Sequence, residues 1–326
     1  MEVLIRGLSR TRRSEIPDRF QDFEYDDCTH DVLAELSRVA GIDAATTFFY
    51  ERIRRAPRNR EIVAALDGGI GASSGESNAL IAGERRARVL IAPALFYRER
   101  PDIGGDGASI QAAARSAGLD VEILPVASAG TVHTNAAELA RLLPERVTGP
   151  TVLVSLSKGA ADVRLAFESV RAIPDDLRAW VVVSGLVHGT PAVDRLRERW
   201  WRRWALQLLL ARASAPPNLI DDLSSSSALR SRAAAPHGVL VVNVIGCPLT
   251  RHVGTTFGRM RHRQMAHLGP NDGLMLLRDA IVDPGLVYPI WGADHYLRTP
   301  SVSSIVSRLL AFLATKGCFS VERKVA

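Results

Sequence analysis

The chain reads as an α/β protein built on a doubly wound, mostly parallel sheet, and three observations lead there. Apolar runs rich in Val, Ile and Leu recur at residues 89–94, 121–125, 151–156, 180–184, 238–245 and 286–290. Stretches with apolar side chains at helical spacing fall between or after them, near residues 108–118, 135–143, 158–170 and 303–313. The strand runs are mostly apolar rather than strictly alternating, as expected of strands covered on both faces. Apolar strands alternating with amphipathic helices predict one sheet with helices on each side.

Composition sets the outer bounds. With 326 residues, 47% of them apolar and 23% charged, the chain has the make-up of a soluble globular enzyme with one large domain and insertions. Its net charge of +6 rests almost wholly on arginine, because lysine occurs only at Lys158, Lys316 and Lys324. That pattern is a compositional bias, and no basic module with interleaved aromatics accompanies it, so nucleic acid is not an expected partner. Cys28, Cys247 and Cys318 are an odd number, far apart and without metal-ligand spacing, which predicts neither a disulfide framework nor a metal centre. The first residues lack an apolar signal core, and no apolar run approaches the ~20 residues of a membrane span, so a cytoplasmic location is expected.

Three units follow along the chain. Residues 1–85 form a helical N-terminal extension, with helices expected at 31–40 (ending at Gly41), 43–55 and 60–66 and a Gly/Ser-rich linker at 67–77. The extension either packs on the core or covers its entrance. Residues 86–326 form the α/β domain, interrupted by an insertion at about 190–236. That insertion carries Trp200, Trp201 and Trp204 on an arginine-rich helix. Three readings stay open for it: a helix packed on the core, a cap presenting aromatic surface to acyl chains, or a basic amphipathic helix in peripheral contact with an anionic membrane or lipid surface.

The chemistry begins at residues 151–159, where a β-branched strand runs into Ser155-Leu-Ser-Lys-Gly159 and then a helical pattern. A serine on a sharp strand-to-helix turn, with small neighbours, is displayed for nucleophilic attack, which selects Ser157. Ser155 stands where glycine is usual in that turn. It lies inside the strand and has no glycine two residues on, so it is the weaker candidate. A serine nucleophile needs a base and an acid that orients the base. His295 follows the last strand, and Asp272 sits in the turn Gly269-Pro-Asn-Asp-Gly-Leu274 after the strand at 238–245. Asp283 and Asp294 compete for the acid, and His133, His188, His252, His262 and His267 for the base. Asp272 also has a purely structural reading, as N-cap of a helix starting near Gly273.

With Ser-Leu-Ser-Lys-Gly, Asn-Asp-Gly-Leu, Ala-Asp-His and Gly189-Thr-Pro-Ala-Val-Asp194 in this order, the chain resembles the α/β-hydrolases, and among them bacterial lipases and esterases, over residues 88–316. The resemblance implies a Ser157, Asp272, His295 triad, each in a loop after a strand. It implies an oxyanion hole from the N–H of Lys158 and an N–H after the first strand, Leu95, with Phe96 as the alternative. Phe96, Tyr97 and Arg98 would border the substrate entrance. Arg98 would either meet a carboxylate or phosphate or be a solvated loop arginine. The implied activity is a serine hydrolase acting on an ester or thioester with an apolar acyl group, without metal or organic cofactor. A thioesterase or acyltransferase using the same triad, and a non-catalytic binding protein on this fold, are the alternatives.

Overall fold

The computed structural model describes residues 16–68, 87–197, 210, 215–219, 221–224, 235–297, 299 and 301–320. Six strands occur among them, β1 (Arg88–Ala92), β2 (Asp120–Ile123), β3 (Thr151–Leu156), β4 (Leu177–Val183), β5 (Leu240–Cys247) and β6 (Leu286–Trp291). They form one sheet in the order β2-β1-β3-β4-β5-β6, and every neighbouring pair is parallel. All six expected strands are present, with ends displaced by at most three residues.

Both faces of the inner strands β1, β3, β4 and β5 are largely buried, which is why these strands are mostly apolar, whereas the edge strand β2 (Asp-Val-Glu-Ile) alternates and is more exposed. On β1, Val89 and Ile91 join a core with Leu309 and Leu313, whereas Leu90 and Ala92 join a core with Leu139 and Leu143. The first core is roofed by helices α4 (Ala108–Ser116) and α9 (Val302–Thr315), and the second by α5 (Val132–Arg146) and α6 (Lys158–Ser169). Helix α5 starts three residues earlier than the apolar spacing suggests, because the Thr131 hydroxyl accepts the Thr134 N–H (3.1 Å) as its N-cap. It also runs past Leu143 through Pro144, which sits in the last turns, where the missing N–H costs one hydrogen bond and does not stop the helix.

The strand order creates the place for a site. The chain leaves β1 for β2 on one side and returns to β3 on the other, so the connections after β1 and β3 diverge at the sheet's centre. In open α/β sheets a crevice forms beyond the carboxyl ends of strands at such a switch. Residues 93–97 and Ser157 lie there.

Helices α1 (His30–Ala40), α2 (Ile42–Arg55) and α3 (Arg60–Asp67) brace the opposite flank. Leu33, Leu36, Phe48, Phe49 and Ile53 bury against Ile245, Cys247 and Val287 of β5 and β6, and Ile62 and Leu66 reach the other face beside Leu309. Polar ties reinforce the contact: Asp43 Oδ1 accepts from Thr250 N (2.8 Å), and Leu66 O accepts from Arg308 Nη1 (2.9 Å). Fully buried Asn59 holds the edge of the sheet, its Oδ1 accepting Val287 N–H (2.9 Å) while its amide donates to Ile53 O (2.8 Å). The strand that ends the sheet is thereby capped rather than left as a free pairing edge. None of residues 16–68 lines the cavity described below.

Of the insertion, α7 (Pro191–Arg197), Leu210, residues 215–219 and residues 221–224 are described; the three tryptophans lie outside the described residues. One helix had no counterpart in the sequence reading, α8 (Thr256–Met265). Its arginines obscure any apolar stripe, although Thr255 caps it by accepting Gly258 N–H (3.0 Å).

Asn59→Ala leaves two buried backbone groups unpaired, at about 1–3 kcal/mol each. Urea unfolding should show a lowered midpoint with an unchanged slope, and a variant within about 0.5 kcal/mol of wild type contradicts the bracing role.

Candidate active site

The turn after β3 is forced by geometry that falls on Ser157. Ser157 has φ 48° and ψ −115°, a conformation in which a side chain is strained, and it is the N-cap of α6. The turn brings α6 so close to β1 that a Cβ on Gly159 would lie 2.5 Å from Ala92 O and 2.6 Å from Pro93 O. Only glycine fits there. The same device recurs under the histidine: a Cβ on Gly246 would lie 2.5 Å from Ala293 O and 2.6 Å from Asp294 O. Glycines on α6 and β5 thus let the loops after β1 and β6 lie directly on the backbone.

Three side chains meet across these loops. Ser157 Oγ stands 2.9 Å from His295 Nε2, and His295 Nδ1 stands 2.8 Å from Asp272 Oδ2. His295 and Asp272 are buried, at 5% and 4% exposure, so water competes little for these bonds. Asp272 divides its oxygens: Oδ1 accepts the N–H groups of Leu274 (2.8 Å) and Met275 (2.9 Å), fixing the carboxylate, while Oδ2 faces the imidazole. No helix begins at Gly273, so Asp272 is not the N-cap of one; its Oδ1 instead holds the turn at Leu274 and Met275, ahead of a short 3-10 helix at Leu277–Ala280. Thr190, from the Gly189-Thr-Pro segment, donates to Leu274 O and ties the insertion's root to this turn.

Most of the rivals are bonded elsewhere. Ser155 is fully buried, accepting Trp180 Nε1–H (2.8 Å), which explains how serine fits where glycine is usual. Asp283 pairs with Arg278 (2.6 Å), and Asp294 Oδ1 accepts Tyr296 N–H (3.1 Å). His133 pairs with Asp222 (3.0 Å), His252 Nδ1 accepts Leu249 N–H (3.1 Å) and His267 meets Arg195 (3.0 Å). His262 is fully buried behind the Asp272 turn, where burial lowers its basicity, and its backbone carbonyl accepts from Asn271 Nδ2 (3.2 Å). The thiols are no competitors either, since burial pushes Cys28 and Cys318 up to about 12 and Cys247 higher still.

After β1, the Ala94 N–H donates to Gly105 O (2.8 Å) and the Phe96 N–H to Ser128 O (2.9 Å). Phe96 is thus spent, and the alternative it offered for the oxyanion falls. The N–H groups of Leu95 and Lys158 meet no acceptor among the described residues. Phe96 takes a left-handed conformation (φ 58°) that turns the chain. In consequence Tyr97 points inward, its hydroxyl donating to Val126 O (3.1 Å), and Arg98 lies over the Tyr97 ring with Nε on its hydroxyl (2.9 Å). The expectation that Tyr97 and Arg98 border the entrance is therefore corrected. Phe96 does line the cavity, and among the described residues Arg100 and Arg261 are the arginines that do.

That cavity has a volume of about 360 Å³ and opens onto Ser157 and His295. Leu95, Phe96, Leu186, Val193, Leu223, Leu274 and Leu297 make its wall apolar. Leu210, Ala215 and Leu219 of the insertion pack against Leu95 and Phe96. Neither Arg100 nor Arg261 could be picked out from sequence, because their place depends on the turn at Phe96 and on the unforeseen α8.

Gly159→Ala must push α6 away from β1, at a cost of about 1–3 kcal/mol for overpacking. A thermal melt should show the loss, and a variant as stable as wild type contradicts the close approach.

No family model matches the sequence, and no curated protein matches it. Among solved structures, the fold is similar to that of a metagenomic carboxyl esterase, with TM-score 0.54 and 20% identity over 72% of this chain and 76% of that one. It is also similar to Bacillus licheniformis lipase BlEst2 in its propeptide form, with TM-score 0.50 and 17% identity over 74% of this chain and 52% of that one. At such identities the likeness concerns architecture alone. The chain has the α/β-hydrolase fold, in common with these esterases and lipases.

Proposed function

We propose that the protein is a serine hydrolase that cleaves carboxylic esters or thioesters with an apolar acyl part. The observation that carries this reading is the hydrogen-bonded line Ser157 Oγ to His295 Nε2 (2.9 Å) and His295 Nδ1 to Asp272 Oδ2 (2.8 Å), opening on an apolar cavity.

In this scheme Ser157 Oγ attacks the acyl carbonyl while His295 Nε2 takes its proton. The Asp272 carboxylate holds the imidazole in the tautomer with Nδ1 protonated and stabilises the imidazolium. The carbonyl oxygen becomes an oxyanion, received by the Leu95 and Lys158 N–H groups at the positive end of α6. Collapse of this intermediate breaks the ester bond, and the alcohol or thiol leaves with the proton from His295. Water, deprotonated by His295, then attacks the acyl-enzyme, and the acid departs as Ser157 regains its proton. The scheme needs no metal or organic cofactor.

The wall of leucines and valine supports an apolar acyl group. A 360 Å³ cavity is at the small end of ligand sites, which run roughly 300–1,000 Å³, so it suits short to medium chains. Each methylene placed in it contributes about 0.8 kcal/mol, roughly fourfold in kcat/KM.

A series of p-nitrophenyl esters from acetyl to hexanoyl should show kcat/KM rising with chain length. Ser157→Ala should abolish turnover, and Asp272→Asn should reduce kcat by roughly 10⁴-fold. Hydrolysis that persists in Ser157→Ala, or a flat chain-length profile, contradicts the reading.

A further inference from the structure

Lys158 immediately follows Ser157, and its side chain is buried rather than solvated. Its Nζ lies 2.6 Å from Asp162 Oδ1 and 2.8 Å from Oδ2, one helical turn on, with Lys158 at 2% and Asp162 at 1% exposure. Asn135 of α5, 3% exposed, donates from one amide nitrogen to both Asp162 Oδ2 (3.0 Å) and Ala127 O (3.1 Å). Gly130 makes room for it, since a Cβ there would lie 2.2 Å from Asn135 Oδ1. The loop that begins at Ala127 then reaches the other side of the site: Ser128 O accepts Phe96 N–H (2.9 Å), and Ser128 Oγ accepts Arg98 N–H (3.2 Å) and donates to Glu99 Oε2 (2.5 Å). Phe96 is the neighbour of Leu95.

A continuous polar chain therefore runs from one candidate oxyanion donor to the other: Lys158, Asp162, Asn135, Ala127, Ser128, Phe96, Leu95. An exposed lysine–aspartate pair one turn apart contributes a fraction of a kcal/mol and sets nothing. A buried pair is different, because several kcal/mol of desolvation per ion must be offset by close geometry and complete hydrogen bonding. Such a pair tolerates little displacement, which is the property a positioning device requires.

Resting on the acyl-transfer reading above, we propose that Lys158, Asp162 and Asn135 are positioning residues that set the spacing of the Leu95 and Lys158 N–H groups, and thus shape the oxyanion hole. Charge around the chain supports this assignment. Burial pushes the Asp162 carboxyl up to about 6 against the lowering effect of Lys158 and Asn135, and Asp222 adds to the rise. Asp222, on the segment Asp221–Leu223, is itself held by the N–H groups of Val132 (3.1 Å) and His133 (3.4 Å) and by the His133 ring (3.0 Å). Lys158 is thus the cation that keeps Asp162 ionised, and the two are best removed together.

The test compares wild type with the double variant Lys158→Met/Asp162→Leu, which removes both charges, leaves no buried ion unpaired and keeps the Lys158 backbone N–H. Active sites are first counted by fluorophosphonate titration. Steady-state kinetics on a soluble ester and inhibition by a trifluoromethyl ketone of matching acyl chain are then measured. Ser157 Oγ adds to the ketone carbonyl as its own proton passes to His295, and the carbonyl oxygen becomes a hemiketal oxyanion in the same place as in the reaction. Deleting a whole donor costs roughly 10²–10³-fold in kcat, so misplacing both should lower kcat per active site by about tenfold or more. KM should stay within about twofold, and the ketone's Ki should rise in parallel with the loss in kcat/KM. A merely structural role would lower the melting temperature or the count of active sites while leaving kcat per site and Ki unchanged, and that result overturns the proposal.

If the double variant does not fold, Asn135→Ala breaks the link to Ala127 while keeping the ion pair, and the same pattern of lowered kcat, steady KM and raised Ki is expected. Asn135→Ala with wild-type kcat and Ki also overturns it. A wild type that hydrolyses no ester removes the acyl-transfer reading and this proposal together. An active wild type with unaffected variants removes this proposal alone.

Discussion

Backbone contact at Gly159 is the constraint on which the site depends. Because α6 begins against the carbonyls of Ala92 and Pro93, the end of β3 has no room to turn gradually, and Ser157 must take its strained conformation. The cost of that residue, of the order of 1–3 kcal/mol, is carried by strands whose two faces are sealed in apolar cores. The same contact holds the start of α6 against the loop after β1. Gly246 repeats the arrangement beneath His295. Two glycines thus bring three loops together at the point where the strand order reverses.

Electrostatics then sorts groups of similar chemistry by environment. Asp272 gives one oxygen to backbone N–H groups and the other to His295, so its charge is held in place and available. Asp162, buried at least as deeply, is matched by a lysine and an amide and does not line the cavity. Ser155 and Ser157, two residues apart, differ as sharply: one hydroxyl is committed to Trp180 inside the sheet, the other faces an imidazole at the cavity. Residue type alone does not distinguish the members of these pairs. Burial and the direction of the strand do.

The sheet was legible in the sequence because its signal is local. Runs such as residues 151–156 are rich in Val and Leu and bounded by turn residues, and tertiary context had nothing to override. The order of Ser157, Asp272 and His295 was legible for a related reason, since each follows a strand and the sheet collects the strand ends. Other features lie in side-chain environment. Arg259, Arg261 and Arg263 hide α8, whose helical start is marked only by Thr255. The left-handed turn at Phe96 sends Tyr97 and Arg98 away from the entrance, and nothing in Leu95-Phe-Tyr-Arg98 announces a positive φ at a bulky residue. Lysine and aspartate four apart at residues 158 and 162 look like any solvated helix pair. Their meaning appears only once α5 is seen to cover them.

The central claim is that Ser157 is an activated nucleophile, and mass mapping after reaction with a fluorophosphonate probe tests it most directly. The account predicts a single adduct on the peptide carrying Ser157, absent when the protein is unfolded and absent in Ser157→Ala. An unmodified protein, or an adduct on another residue, would contradict it.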